Sequence, residues 1–196
     1  MSLRLDKIDR IVDWGKVYSL VKEIDYTNKV IGGRPPSDIL SKIKMLFLQH
    51  IHNLSDPELE DQVNDRLSFQ KFAGIDYNTR VPDYSTIWRF KERLIDHNLI
   101  DKLFELINHF IESKGLFVKK GTLVDATIIE STNKPLSHKK REELEASPSS
   151  QIDTDAHSTA KSKKHYFGYK GHIGTDMESN LIRKKAFTSA QPHDSQ

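Results

Sequence analysis

The chain has 196 residues, 36% hydrophobic and 30% charged, with a formal net charge of +2. Nine Phe, six Tyr and two Trp can seed a core, which excludes wholesale disorder, and the length suits one medium domain or two small ones. The lack of cysteine excludes disulfides and Cys-ligated zinc and fits a reducing compartment, and no apolar run approaches the roughly 20 residues of a membrane span. The N-terminus "MSLRLDKIDRIVDWGK" alternates charged and apolar residues and has no signal-peptide core, so a cytoplasmic protein is expected.

Residues 1 to about 118 read as helical. "DRIVDWGKVYSLVKEI" places Ile11, Trp14, Val17, Tyr18 and Val21 at helical spacing. "NKVIGGRPPS" breaks that pattern, and Ser37 is the expected N-cap of "DILSKIKMLFLQHIHNL". There Ile39, Leu40, Ile43, Phe47 and Ile51 form a broad apolar stripe, the mark of a core helix. In "LSDPELEDQVNDRL", Ser55 or Asp56 caps a helix with Pro57 in its first turn. "SFQKFAGI" is a short helix ending near Gly74, and "DYNTRVPD" is a loop. "YSTIWRFKERLIDHNLIDKLFELINHFIESKG" supplies one or two further helices, capped by Asp83 or Ser85 and ending near Gly115.

At about residue 119 the pattern changes. "KKGTLVDATIIES", "HYFGYKGHIGTD" and "LIRKKAFTSAQ" are rich in β-branched and aromatic residues and read as strands. The tight "DMESN" predicts an antiparallel hairpin from the last two. A polar insertion at about 132–163 separates the first two. The expected architecture is a helical domain over 1–118, then the opening strands of a mixed sheet over 119–196.

Three stretches have the residue types for chemistry. In "LVDATII" a lone carboxylate, Asp125, sits in an apolar run that reads as a buried strand, sharing one face with Leu123 and Thr127. It is either a ligand for a hard cation such as Mg²⁺ or Mn²⁺, or an aspartate bonded to nearby backbone or a lysine. In "YSTIWRFKERL", Ser85, Thr86, Arg89, Lys91 and Arg93 can donate to phosphates or bases, with Trp88 and Phe90 interleaved. The short helices there resemble a helix-turn-helix array; equally, Ile87, Phe90 and Leu94 are the core face of an ordinary amphipathic helix. In "KHYFGYKGHIGTD", Lys164, Lys170, His165 and His172 lie on strands near that of Asp125, where they can grip a phosphate backbone. His50, His52, His165 and His172 lack zinc-site spacing, so zinc is not expected.

Together, "ILSKIKMLFLQHI", "LSDPELEDQVNDRLSFQKFAGID", "VPDYSTIWRFKERL", "LVDATIIES" and "FGYKGH" with "LIRKKAFTSAQPHDS" resemble the insertion-sequence DDE transposases of the InsH-like group. The resemblance implies α then α/β: a helix-turn-helix-like N-terminal domain followed by an RNase H-like catalytic domain, incomplete here. It implies binding to the terminal inverted repeats of an insertion sequence, with DNA cleavage and strand transfer by acids that hold two Mg²⁺ or Mn²⁺ ions. Asp125 matches the first acid. Ser85, Thr86, Trp88, Arg89, Lys91, Arg93, Lys164 and Lys170 are the expected DNA contacts, and a homo-oligomer is left open. The family's second acid follows in an Asp-x-Gly-Tyr-like segment beyond "HDS", and the third is a later Glu. Neither segment is in this sequence. Asp194 belongs to the stretch before the second acid, and Glu130 points to the other strand face from Asp125. The expectation is a truncated transposase without strand-transfer activity by itself. The alternative is a non-catalytic DNA-binding remnant that recognises terminal repeats or inhibits an intact transposase.

Overall fold

The computed structural model describes residues 3–24, 37–76, 78–116, 121–132, 135, 137, 153, 155–161 and 164–190. The chain divides into two compact units, 1–115 and 116–196. The first unit is helical and the second is a sheet.

The helical unit contains α1 (Leu3–Ile11), α2 (Trp14–Val21) and a short 3-10 turn (Lys22–Ile24), then α3 (Ile39–His52), α4 (Asp56–Asp65), α5 (Leu67–Ala73), α6 (Tyr84–Asp96) and α7 (Leu99–Ser113). The apolar period from Ile11 to Val21 is interrupted because Asp13 takes an extended conformation and caps α2, accepting from the amides of Gly15 and Lys16. Helix α3 is capped by Asp38, not Ser37, through a 2.7 Å bond from the Ser41 amide. Ser55 caps α4 in a reciprocal box with Glu58. Helix α5 stops at Gly74, which adopts φ +70. The long C-terminal stretch is two helices, because Asn98 turns left-handed between α6 and α7.

Helix α3 packs against α2, α4, α5 and α6, as its broad stripe requires. Around it Phe72, Phe90, Met45, Leu48, Leu59, Ile87 and Leu94 are fully buried. Trp14 sits edge-on to Phe47 and Phe72, at 5.3 and 6.0 Å between ring centres, and its indole N–H donates to Asp9. None of the described helices is long and apolar enough to cross a membrane.

The second unit is a sheet of β1 (Thr122–Glu130), β2 (His157–Lys161), β3 (Lys164–Asp176) and β4 (Ile182–Ser189). Strand β3 is central. One edge pairs with β1, and the other takes β2 along residues 164–168 and β4 along 169–175. Every pairing among the described residues is antiparallel, where a mixed sheet was expected. Strand β2 falls inside the stretch read as a polar insertion; most of the rest of 132–163 lies outside the described residues. The β3–β4 hairpin forms at "DMESN" as expected. Asp176 is fully buried there and accepts from the Ser179 amide and hydroxyl, at 3.1 and 2.7 Å.

Candidate functional site

Cross-strand partners in a sheet share a face. Asp125 lies opposite Ile173, and Ile173 opposite Lys185, so these three form one row. Leu123, Thr127 and Ile129 belong to the same face of β1, as the alternation predicts. The next row is Thr127, Gly171 and Phe187. A Cβ on Gly171 would meet the Phe187 ring at 3.2 Å and Ile129 at 3.4 Å, so these two side chains close over the glycine.

Asp125 is exposed, which corrects the expectation of a buried carboxylate. Its apolar neighbours are uncovered too: Leu123 is 48% and Val124 75% exposed. An apolar run marks a strand, but burial needs another layer over it, and the described residues of the sheet unit provide none for β1. One carboxylate oxygen accepts a 2.8 Å bond from the Ala126 amide. Among the described residues no three His, Asp or Glu side chains converge as a metal site. One exposed carboxylate does not fit a two-ion centre by itself, so the described residues alone do not hold the Mg²⁺ or Mn²⁺ pair.

The expected phosphate grip on β3 is split by the period of the strand. Lys170 pairs with Ile128 and His172 with Ala126, so they lie on the opposite face from Asp125. Lys164 shares their face by alternation, while His165 lies on that of Asp125. All four residues are on one strand, not on neighbouring ones. Lys164 is exposed, whereas Lys170 is only 7% exposed and has a partner.

The DNA-contact residues named on α6 also separate. Asp83 caps the helix, accepting from the Thr86 amide at 2.7 Å and the Ser85 hydroxyl at 2.8 Å. Those bonds, the Thr86 amide foremost, hold its carboxyl below the usual range. Ser85 and Thr86 therefore serve the cap. Lys91 Nζ lies 2.6 and 2.8 Å from the Asp56 oxygens, and Gln49 donates to the same carboxylate. Burial pushes the Asp56 carboxyl up, but the bonds from Lys91 and Gln49 outweigh it and hold it low. The charge of Lys91 is thus paired with Asp56 within the helical unit. Arg93 donates from Nε to the Arg89 carbonyl at 3.3 Å and lies over the Phe90 ring. Trp88 and Arg89 face outward. Tyr84, one turn before Trp88, is equally exposed; its spacing of four from Trp88 was the signal for it in the sequence.

A second polar cluster went unread in the sequence. Asp153 accepts from the Tyr169 hydroxyl at 2.5 Å, the Ser131 hydroxyl at 3.2 Å and the amides of Asp155 and Ala156 at 3.1 Å. It ties the end of β1, the entry to β2 and the middle of β3 together. The bond from Tyr169 holds the Asp153 carboxyl low, and the same bond pushes the phenol up to about 12. A phenol raised on folding adds stability below its unfolded value, and that stability is lost as the pH climbs through its folded one. A carboxyl lowered on folding adds stability above its unfolded value, lost as the pH falls through its folded one. The latch should therefore hold between about pH 4 and pH 10 and weaken outside that window. In a near-UV phenolate titration, Tyr169 should ionise late, near pH 12, and Tyr169→Phe should remove that late step. A late step that survives the substitution would show that the Tyr169 bond is not its source.

Comparison with known families places these units. Residues 2–93 match the transposase domain family (DUF772), and residues 117–196 match the transposase DDE domain family. The two matches follow each other in the chain as the helical and sheet units do. The chain belongs to the insertion-sequence DDE transposases, and its function is that of a transposase. No solved structure matches it.

Proposed function

We propose that this chain acts in DNA transposition by binding the terminal inverted repeats of its insertion sequence through the helical unit, in the cytoplasm. Asp125 is then one carboxylate of a divalent-metal site completed by acids that the described residues do not bring to it. The observation that carries this reading is the place of Asp125: outward from the first strand of an antiparallel sheet, inside the match to the transposase DDE domain. The β1–β3–β4 order supports an RNase H-like fold, and the sequence resemblance supports the InsH-like group. When bound, the ions would activate a water or a 3′-hydroxyl for attack on a phosphodiester. From this chain, Asp125 contributes one fixed carboxylate.

The second reading is a DNA-binding polypeptide without catalysis, which inhibits an intact transposase by mixed assembly. The isolation of Asp125 among the described residues favours it. Both readings expect the 196-residue chain to prefer element-end duplex over scrambled duplex, with an affinity that falls steeply with salt. Arg89→Ala should weaken binding and lower the salt slope by about one. Anisotropy titrations across a salt series measure both. With Mg²⁺, neither nicking nor strand transfer is expected from this polypeptide by itself. Equal affinity for end and scrambled DNA would defeat the end-binding reading. Mg²⁺-dependent cleavage abolished by Asp125→Ala would defeat the inhibitor reading and show that this chain assembles a complete site.

A further inference from the structure

The outward side of α6 has two adjacent ridges at spacings of four. One is Tyr84, Trp88 and Glu92; the other is Ser85, Arg89 and Arg93. The inward side is Ile87, Phe90 and Leu94, all fully buried. Tyr84 and Trp88 are 54% and 55% exposed, so two aromatic side chains one turn apart stand open to solvent. The helical unit keeps its other tryptophan, Trp14, against Phe47 and Phe72.

The charge around this aromatic pair is selective. The Tyr84 amide donates to the Glu60 carboxylate at 2.8 Å, and Asp83 caps the same turn. Glu92 follows Trp88 by one turn and is exposed. Three carboxylates thus flank the aromatic ridge and repel a phosphate placed on it. Asp83 and Glu60 also fill the helix N-terminus, which otherwise attracts phosphate. An uncharged base is not repelled. Its flat face stacks on an aromatic ring, and its amino groups can donate to a carboxylate. The exposed Arg89 on the next ridge is the cation within reach of the adjoining phosphate.

We infer that the Tyr84–Trp88 ridge of α6 is a stacking platform for an unpaired nucleobase at a DNA end, with Arg89 anchoring the neighbouring phosphate. This rests on the DNA-binding reading of the helical unit and deepens it. The DNA that suits this helix has bases outside the stack, as at a frayed or overhanging end. End-on entry of α6 into a major groove would press the Asp83 and Glu60 carboxylates at its N-terminus against phosphates.

The test uses the full chain and three probes of one sequence: a single strand, a duplex with unpaired 3′ bases, and a blunt duplex. Anisotropy gives affinity, and tryptophan fluorescence reports stacking. Trp88→Ala should weaken the two probes with unpaired bases about tenfold, the scale of one base on one ring, and the blunt duplex less than about twofold. Trp88→Tyr should restore most of the loss, and quenching by unpaired bases should vanish in Trp88→Ala. Circular dichroism of each variant verifies that the helices remain. Equal effects of Trp88→Ala on all three probes, or none on any while DNA still binds, would overturn the platform and leave DNA binding standing. Failure of the native chain to bind any probe would remove the underlying reading as well. A concentration-dependent dimer that Trp88→Ala abolishes, with DNA affinity unchanged, would reassign the ridge to a second copy of this chain.

Discussion

Gly168→Val is expected to pull β1 away from β3 at the end beyond Asp125. A Cβ at position 168 would lie 2.1 Å from the Ile129 carbonyl oxygen, 2.8 Å from the Ser131 nitrogen and 3.1 Å from the Glu130 Cα. All three are backbone atoms, so no side chain can rotate to make room. The strands must separate or slip in register, and a one-residue slip turns every side chain of β1 to the other face. Overpacking of this kind costs about 1–3 kcal/mol or more. Gly168 pairs with Glu130 on one edge and His157 on the other, so both ladders weaken together. Hydrogen exchange on the whole protein should show the amides of 123–130 losing protection by about 100-fold, the equivalent of roughly 2.7 kcal/mol, with the helical unit unchanged. Native protection in the variant would mean that the strands pass at a greater distance than this register allows. Because this register sets the row of Asp125, the variant should also blunt any metal-dependent function in which Asp125 takes part.

Phe72→Ala should be the most damaging single truncation in the helical unit. The ring is fully buried, meets Trp14 edge-on, and has the Lys44 ammonium 5.3 Å from its centre. Removing it takes away apolar contact and leaves a cavity lined by α2, α3 and α5, at a cost of about 3–5 kcal/mol. Domains of this size hold about 5–15 kcal/mol in total, so the unit would be left near its limit. Urea unfolding followed by far-UV circular dichroism should show the midpoint falling sharply, with Phe72→Leu losing far less. A loss under about 1 kcal/mol would mean that the core collapses to fill the space. DNA binding by Phe72→Ala at low temperature should persist, because Trp88 and Arg89 lie on the outward side of α6.

Features with a local cause were legible in the amino-acid sequence. The caps, narrowed to Ser55 or Asp56 and to Asp83 or Ser85, the stop at Gly74 and the hairpin at "DMESN" each depend on residues a few positions apart. The core face of α6 followed from its helical period, and the shared face of Leu123, Asp125 and Thr127 from strand alternation. The family was legible for a related reason: its motifs are short, ordered runs such as "VPDYSTIWRFKERL" and "FGYKGH". What the side chains at these positions have left to offer depends on long-range packing. Folding brings Asp56, 35 residues away, onto the Lys91 ammonium, a pairing that the helical period of α6 does not reveal. Lys170 and Asp125 read as neighbours until the register of β1 on β3 put them on opposite faces. Asp125 read as buried because its neighbours are apolar, yet burial depends on which layers cover a strand, and a strand's own residues do not encode that. Tyr169 and Asp153 found each other through a strand pairing that no spacing predicts. Local chemistry repeats along the chain, whereas a charge is spent, buried or left free by whichever distant segment packs against it.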